Sequence, residues 1–548
     1  MKMKTTVNII LITAVFACAF FQGCTSETVN YGNPDSEIYD SGTMSLGVRV
    51  TTGDDPFNYN EIKNLMLYFF EDVTGYSVYI GSSEAIATSK PQYYRASYPK
   101  EKLNEPSFVV AIANHNTPIE LQTASDLFEL KTNSNSDKGI ILMTSTRGFD
   151  PDTHKDIYYS LLSQENFDET DPAVIEIFLE RNVAKASAIN YLEEGETFVV
   201  PALTYKGSEA RFETHLTGWG ISATDSESFV VKNLGNGGFP DISAELALPD
   251  HEWNIPVVDY LENEMTEGAL GHYVCQWAHS PGWSRTSFPA VGEEDNAEGI
   301  DFLSFSNLDN NFSTEQSSVA YFVNETTRQR SVYDIPNALP MLIVGAVHKL
   351  PDFDENVSFY VVGNNVLPEE EFWEYIASTQ TALFEKETMR LSTAEELSMV
   401  LETAVSENGF WNKLRVRLKD DADLSVFADR DGVAIDTADK RKKINDLLFL
   451  SCGEIEKFKD GKAVYMIPVI HFDNKEESRE GTTLYGIVRN NHYAFHITGI
   501  ESLGCGVSSD EKILGEPDRE RYDKFGLEVR VTLNPWFKVS TTTNIEGD

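Results

Sequence analysis

Met44-Ser45-Leu46-Gly47-Val48-Arg49-Val50-Thr51 carries an apolar side chain at every second position. That period of two marks a half-buried strand, because successive side chains of an extended chain point to opposite faces. The next apolar stretch, Leu65-Met66-Leu67-Tyr68-Phe69-Phe70, is uninterrupted. It is too short for an ordinary helix and reads as a strand covered on both faces. Phe108 to Ala113 is of the same kind, and Gly139 to Met143 and Val174 to Leu179 continue the series. Phe212 to Ile221 and Phe229 to Val231 come last before a glycine-rich break, Gly235-Asn236-Gly237-Gly238.

Beyond the break lie long polar loops, notably 280–318. Strand patterns resume at Ser318 to Val323, Met341 to Val347, Ser358 to Val362, Ala463 to Phe472, Tyr485 to Val488, His492 to Ile500 and Leu527 to Leu533. Helical patterns occur at 369–379, 393–405 and 437–449. Many short strands with few helices predict a mainly β protein of two β-sandwich-like domains, 44–235 and 236–548.

The chain has 548 residues, too many for one ordinary core, and a formal net charge of −43. Such an acidic surface excludes nucleic-acid binding, which needs cations against phosphate. It also excludes electrostatic docking on anionic lipid.

The first residues read as an export signal. Lys2 and Lys4 precede an apolar stretch from Val7 to Phe21, too short to span a membrane. It ends at Gly23-Cys24, a small residue before a cysteine, as in the lipobox of bacterial lipoproteins. The expectation is a signal peptide over 1–23, lipidation at Cys24 and a tether over 24–43 rich in Ser, Gly, Asn, Asp and Glu. An ordinary secretory peptide with an incidental cysteine is the plainer alternative. Cys275, Cys452 and Cys505 are too few and too scattered for a disulfide framework and read as buried thiols.

Signatures of catalysis are missing. The chain has no Gly-x-Ser-x-Gly elbow, no phosphate loop and no His-Glu-x-x-His. No enzymatic activity, metal or other cofactor is expected. His272, Cys275 and His279 are closely spaced, yet no fourth ligand is evident beside them. His492 and His496 lie in a strand pattern, where four residues span roughly 13 Å. Asp429-Arg430-Asp431-Gly432 opens like a calcium loop, but its next acid, Asp436, comes too early. Trp219, Trp253, Trp277 and Trp283 supply either a sugar-stacking platform or, more simply, core.

Several stretches carry a family resemblance. They are Ile467-Pro468-Val469-Ile470-His471, Gly486-Ile487-Val488-Arg489-Asn490-Asn491-His492-Tyr493, the run from Ile497 through Ile500 to Gly504, and a last alternating strand closing near Trp536. Arg181-Asn182-Val183-Ala184-Lys185 and Ala320 to Thr326 agree more loosely. Together they resemble the fimbrillins, the type V pilins of Gram-negative anaerobes, and most closely the minor-fimbria (Mfa-type) branch. The specific part is the block from Arg489 to Gly504.

The resemblance implies transthyretin-like domains and a structural and adhesive subunit of a cell-surface fimbrium on the outer membrane. Such a subunit is exported as a palmitate-bearing lipoprotein and assembles by donor-strand exchange with other subunits, of its own kind or another. A host or bacterial surface receptor is a further implied partner. Proteolysis removes the first strand in such subunits, and the last strand of another subunit fills the gap. Met44, Leu46, Val48 and Val50 are then the candidate plug. Leu527, Val529, Val531 and Leu533 are the candidate donor. The alternative is that both are ordinary edge strands. Where the family is cut at an arginine after the first strand, Thr51 to Asn60 contains none, so Arg49 becomes the candidate cleavage site. A retained strand would make the chain a non-polymerising anchor. A monomeric glycan- or protein-binding lipoprotein is the other alternative.

Overall fold

A computed structural model gives the fold. It describes residues 43–535 apart from 52–60, 72–77, 100–107, 116–118, 134–139, 146–147, 151–154, 158–159, 163, 168–172, 194, 234–278, 286–298, 314–320, 329–338, 406–411, 470–485 and 511–526. Gly23, Cys24, Cys275 and Trp536 lie outside the described residues.

The first half is built from β1 (Thr43–Thr51), β2 (Leu65–Phe70), β3 (Tyr79–Glu84), β4 (Tyr93–Pro99), β5 (Phe108–Ala113), α1 (Ala124–Glu129), β6 (Met143–Ser145) and β7 (Ile175–Arg181). These strands run β3-β2-β5-β6-β7-β1-β4 in one nine-stranded sheet, completed by Ile86–Ala87 next to β4 and Ser160–Leu161 against β5. The sheet curls until its ends approach, where Ser97 N–H donates to Ser83 Oγ at 3.1 Å. Inside the curl, Leu46, Val48, Leu65, Leu67, Phe69, Val109, Ile175 and Ile177 form one core. The outer face of β2 and β5 is also covered. Tyr68, Phe70, Val110 and Ile112 pack with Leu127 and Phe128 of α1 and with Val230 and Val231. Two covered faces explain why Leu65–Phe70 and Phe108–Ala113 are continuously apolar.

The second half adds β8 (Val183–Asn190), β9 (Glu196–Tyr205), β10 (Ser208–Ser222), β11 (Tyr321–Asn324), β12 (Met341–Lys349), β13 (Phe359–Val362) and β14 (Asn365–Pro368). There follow α2 (Glu369–Thr379), α3 (Ala394–Val400), β15 (Leu401–Val405), β16 (Leu414–Leu418) and α4 (Ala438–Cys452). The last strands are β17 (Ile455–Phe458), β18 (Lys462–Pro468), β19 (Asn491–Ile500) and β20 (Leu527–Pro535). A ten-stranded sheet runs β15-β16-β17-β13-β14-β9-β10-β12-β18 and ends on Cys505–Gly506. A four-stranded sheet, β11-β8-β19-β20, packs on it through Ala186, Trp219, Leu342, Val344, Tyr465, Tyr493, Phe495 and Ile497. The far wing of the long sheet is covered by α2, α3 and α4 through Phe372, Ile376, Leu397, Ile444 and Leu448. The protein is mainly β, with sandwich-like sheets and a few short helices.

Strand pairing changes hands at Asn182, between β7 and β8. The sequence expectation placed the division near residue 235. By pairing, Phe212 to Ile221 belongs to the long sheet of the second half, and among the described residues beyond it Ser228–Phe229 returns to the first, against Lys131–Thr132. Two local expectations need correction. The pattern 393–405 is a helix only to Val400; Leu401 is extended, and Leu401–Val405 pairs antiparallel with β16. Thr403 and Val405, stiff at χ1, suit that strand better than another helical turn. Of Tyr485 to Val488, only Ile487 makes a ladder contact among the described residues, with Thr326.

Candidate strand-exchange interface

β1 is an interior strand. It pairs antiparallel with β4, Leu46 opposite Ala96 and Val48 opposite Tyr94. On its other side it pairs parallel with β7, Val48 opposite Ile175 and Val50 opposite Ile177. Leu46 and Val48 are 0% exposed and Val50 is 2% exposed, whereas Arg49 is exposed. Alternation therefore puts three of the four candidate plug residues in the core; Met44 stands opposite Tyr98 in the register. Each such side chain contributes about 1.5–3 kcal/mol relative to exposure. Removing β1 would open an apolar groove floored by Ala96, Tyr98, Ile175 and Ile177 and leave unpaired backbone on both flanks.

β20, the candidate donor, takes the end position of the four-stranded sheet and pairs antiparallel with β19. Leu527, Val529, Val531 and Leu533 stand opposite Ile500, Ile497, Phe495 and Tyr493 in that ladder. The two candidate strands thus differ. β1 is enclosed on both sides, and β20, among the described residues, is bonded along one.

The Arg489 block sits elsewhere, at the junction of the two halves. Arg489 is 0% exposed, and its Nε donates to Glu325 Oε2 at 3.0 Å. Its Nη2 donates to Phe229 O at 2.8 Å, and its Nη1 to Val230 O at 3.3 Å. Asn490 turns the chain with a φ of 61°, a left-handed conformation that asparagine tolerates. Its N–H donates to Val183 O at 2.8 Å, and its Oδ1 accepts from Arg181 Nη1 at 3.1 Å. Two further buried pairs flank it, Arg328 with Asp225 at 2.8 Å and Lys232 with Glu180 at 2.9 Å. Three of the stretches that carry the resemblance, around Arg181, Glu325 and Arg489, therefore meet at one place. Asp225, Arg328, Glu180 and Lys232 went unremarked in the sequence. Glu180 and Lys232 each follow an apolar run, which was their one signal there, whereas Asp225 and Arg328 stand in polar sequence and gave none.

The remaining candidates among the described residues find ordinary roles; His272, Trp253 and Trp277 lie outside them. His492 Nε2 lies 2.8 Å from Ser187 Oγ, and His496 stacks on Tyr191. His279 stacks on Trp283 with ring centroids 4.1 Å apart, and burial pushes its pKa down to about 4. Asp429 Oδ1 accepts the N–H groups of Asp431 and Val433, closing a turn on itself. Trp219 is core, its Nε1 donating to Asn311 O at 3.0 Å, so it has no face for a sugar. Cys452 and Cys505 are both buried, with burial pushing the Cys452 thiol up to about 11.

Sandwich-like sheets, an enclosed first strand and a last strand at the end of its sheet define a β-sandwich protein. Residues 456–542 match the family described as major fimbrial subunit protein type IV, fimbrillin, C-terminal. That is the family to which the sequence resemblance pointed, matched here over the C-terminal stretch. No curated protein sequence matches it. Among solved structures it is similar to a fimbrilin (FimA) from Porphyromonas gingivalis W83, at 12% identity and a TM-score of 0.39, covering 90% of this chain and 98% of that one. It is also similar to a protein provisionally assigned to cell adhesion from Parabacteroides distasonis ATCC 8503, at 12% identity and a TM-score of 0.34, covering 91% and 98%. At such TM-scores neither likeness fixes the fold; the strand pairing does that.

Proposed function

We propose that this protein is a structural and adhesive subunit of an outer-membrane fimbrium, exported as a lipoprotein through Cys24 and assembled by strand exchange. Kinship with the minor-fimbria branch is the narrower form of this reading. The observation that carries it is the double pairing of β1, with Leu46, Val48 and Val50 buried between β4 and β7. A slot so apolar and so rich in backbone partners is stable only when filled. Strand addition fills it, main-chain hydrogen bonds giving affinity and alternate side chains giving fit. β20 is the natural occupant in another subunit, because a strand at the end of its sheet can leave without splitting that sheet.

One observation favours a second reading, the non-polymerising anchor. Arg49, the candidate cleavage site, pairs on both sides, with Tyr93 and with Glu176. A protease would have to open the sheet to reach it. If β1 is never removed, the lipid on Cys24 stays with the folded protein.

The test is to introduce a specific protease site within residues 52–60 of the full chain, fold it, and then cut. Heat-resistant ladders on denaturing gels and filaments by electron microscopy are expected. Cut protein that stays monomeric under all conditions would sink the exchange reading and leave the anchor.

A further inference from the structure

The first and last described strands share more than alternation. Leu46-Gly47-Val48-Arg49-Val50-Thr51 and Leu527-Glu528-Val529-Arg530-Val531-Thr532 differ only at the second position. One step back in the same alternation of sequence, Met44 corresponds to Phe525. Any amphipathic strand would alternate. Alternation does not ask for arginine at one given outward step, for threonine at the next, or for leucine rather than valine at the first inward one.

Resting on the strand-exchange reading, we propose that the occupant of the β1 slot is a second copy of this same chain, seated in one register. Leu527 takes the place of Leu46, Val529 that of Val48 and Val531 that of Val50. The slot admits the one mismatch. A Cβ built on Gly47 meets Val174 Cγ2 at 3.6 Å, an ordinary contact, so the station does not demand glycine and leaves room for the Cβ of Glu528. Arg530 takes the exposed station of Arg49. Slipping the donor by one residue would drive Glu528 and Arg530 into the core face. Slipping it by two would keep alternation but set Val529 where Leu46 now fits and Leu533 where Val50 now fits. The first leaves a void and the second overfills, in a core whose residues here are 0% and 2% exposed.

The register predicts a contact that one chain cannot make alone. Leu46 lies opposite Ala96, so Leu527 of a second copy would too. Within its own chain Leu527 lies opposite Ile500, in a different sheet. Directly opposite residues in an antiparallel pair have Cα atoms about 4.5–5.5 Å apart, within disulfide reach.

The experiment uses the full chain with the engineered protease site, cut after folding and oxidised. Three double variants are compared: Ala96→Cys with Leu527→Cys, with Phe525→Cys and with Val529→Cys. A ladder on non-reducing gels that collapses with reductant is expected for Leu527→Cys, with the ladder lost in the other two. A peptide of residues 525–535, added during cutting, is expected to suppress ladder formation by the parent protein. A ladder strongest with Phe525→Cys or Val529→Cys overturns the register. A parent protein that polymerises while none of the three pairs cross-links, and while the peptide has no effect, overturns the proposal but leaves strand exchange standing. A parent protein that does not polymerise at all overturns both.

Discussion

Arg489 and Glu325, 164 residues apart, form an ion pair with side chains 0% and 1% exposed and 3.0 Å between Arg489 Nη2 and Glu325 Oε2. The guanidinium also caps two carbonyls, those of Phe229 and Val230. The pair holds the turn before β19 against a segment that packs on the first half. It is a clamp between the two sheet systems.

Breaking that pair from one side leaves a charge buried without its partner. Arg489→Met is expected to cost about 3–5 kcal/mol. Replacing both, Arg489→Met with Glu325→Leu, should cost less than Arg489→Met alone, because no charge is then stranded. Urea denaturation midpoints of the three proteins decide the matter, and a double variant weaker than the single would contradict it.

Plug residues and their outward neighbours should behave oppositely. Leu46→Ala in uncut protein is expected to lose about 2–5 kcal/mol, because the side chain lies in a closed core. Arg49→Ala, on the exposed face, should stay within about 0.5 kcal/mol. Equal losses for both would argue against the face assignment of β1.

Acid should destabilise the second half. His348 is 0% exposed, its Nδ1 2.7 Å from Thr214 Oγ and its Nε2 3.0 Å from Leu503 O. Burial holds its pKa at about 4, below the ordinary 6.5. Between those values the unfolded ring binds a proton and the folded ring does not. Stability from this group is complete above pH 6.5 and is lost as pH falls toward 4, at a slope of about 1.4 kcal/mol per pH unit. His279, shifted the same way, adds to the slope. Thermal midpoints across this range should fall less steeply for His348→Gln than for the parent.

Gly461 has a φ of 76°, and a Cβ there would lie 2.1 Å from His348 O. Both conformation and space exclude a side chain. Gly461→Ala is expected to cost more than about 1 kcal/mol, since the φ penalty alone approaches that figure. Calorimetry or urea titration would show it. A neutral result would mean the chain can move aside at β12.

Much of the local structure was legible in advance. Leu65–Phe70, Phe108–Ala113 and Glu369–Thr379 lie where their patterns placed them. Apolar runs bounded by turns depend on nearby residues alone, and the acidic Glu369, Glu370 and Glu371 favour a helix start electrostatically. Where the reading strayed, distant partners decided. Leu401–Val405 left the helical pattern because β16 offers it a ladder. Ala124–Glu129 went unnoticed because a helix this short shows little periodicity; its capping box at Thr123 and Asp126 was the available signal.

The same division holds for the candidate site. Alternation in Met44 to Thr51 and in Leu527 to Thr532 determined by itself that each segment is a strand with one apolar face, and the C-terminal block carried the resemblance to the fimbrillins that the family match over 456–542 repeats. Only the tertiary structure decided that β1 lies between β4 and β7, that β20 ends its sheet, and that Arg181, Glu325 and Arg489 converge on one junction. The physical reason is that side-chain period is a local property. A strand's backbone hydrogen bonds suit any partner, so its neighbours are chosen by long-range packing.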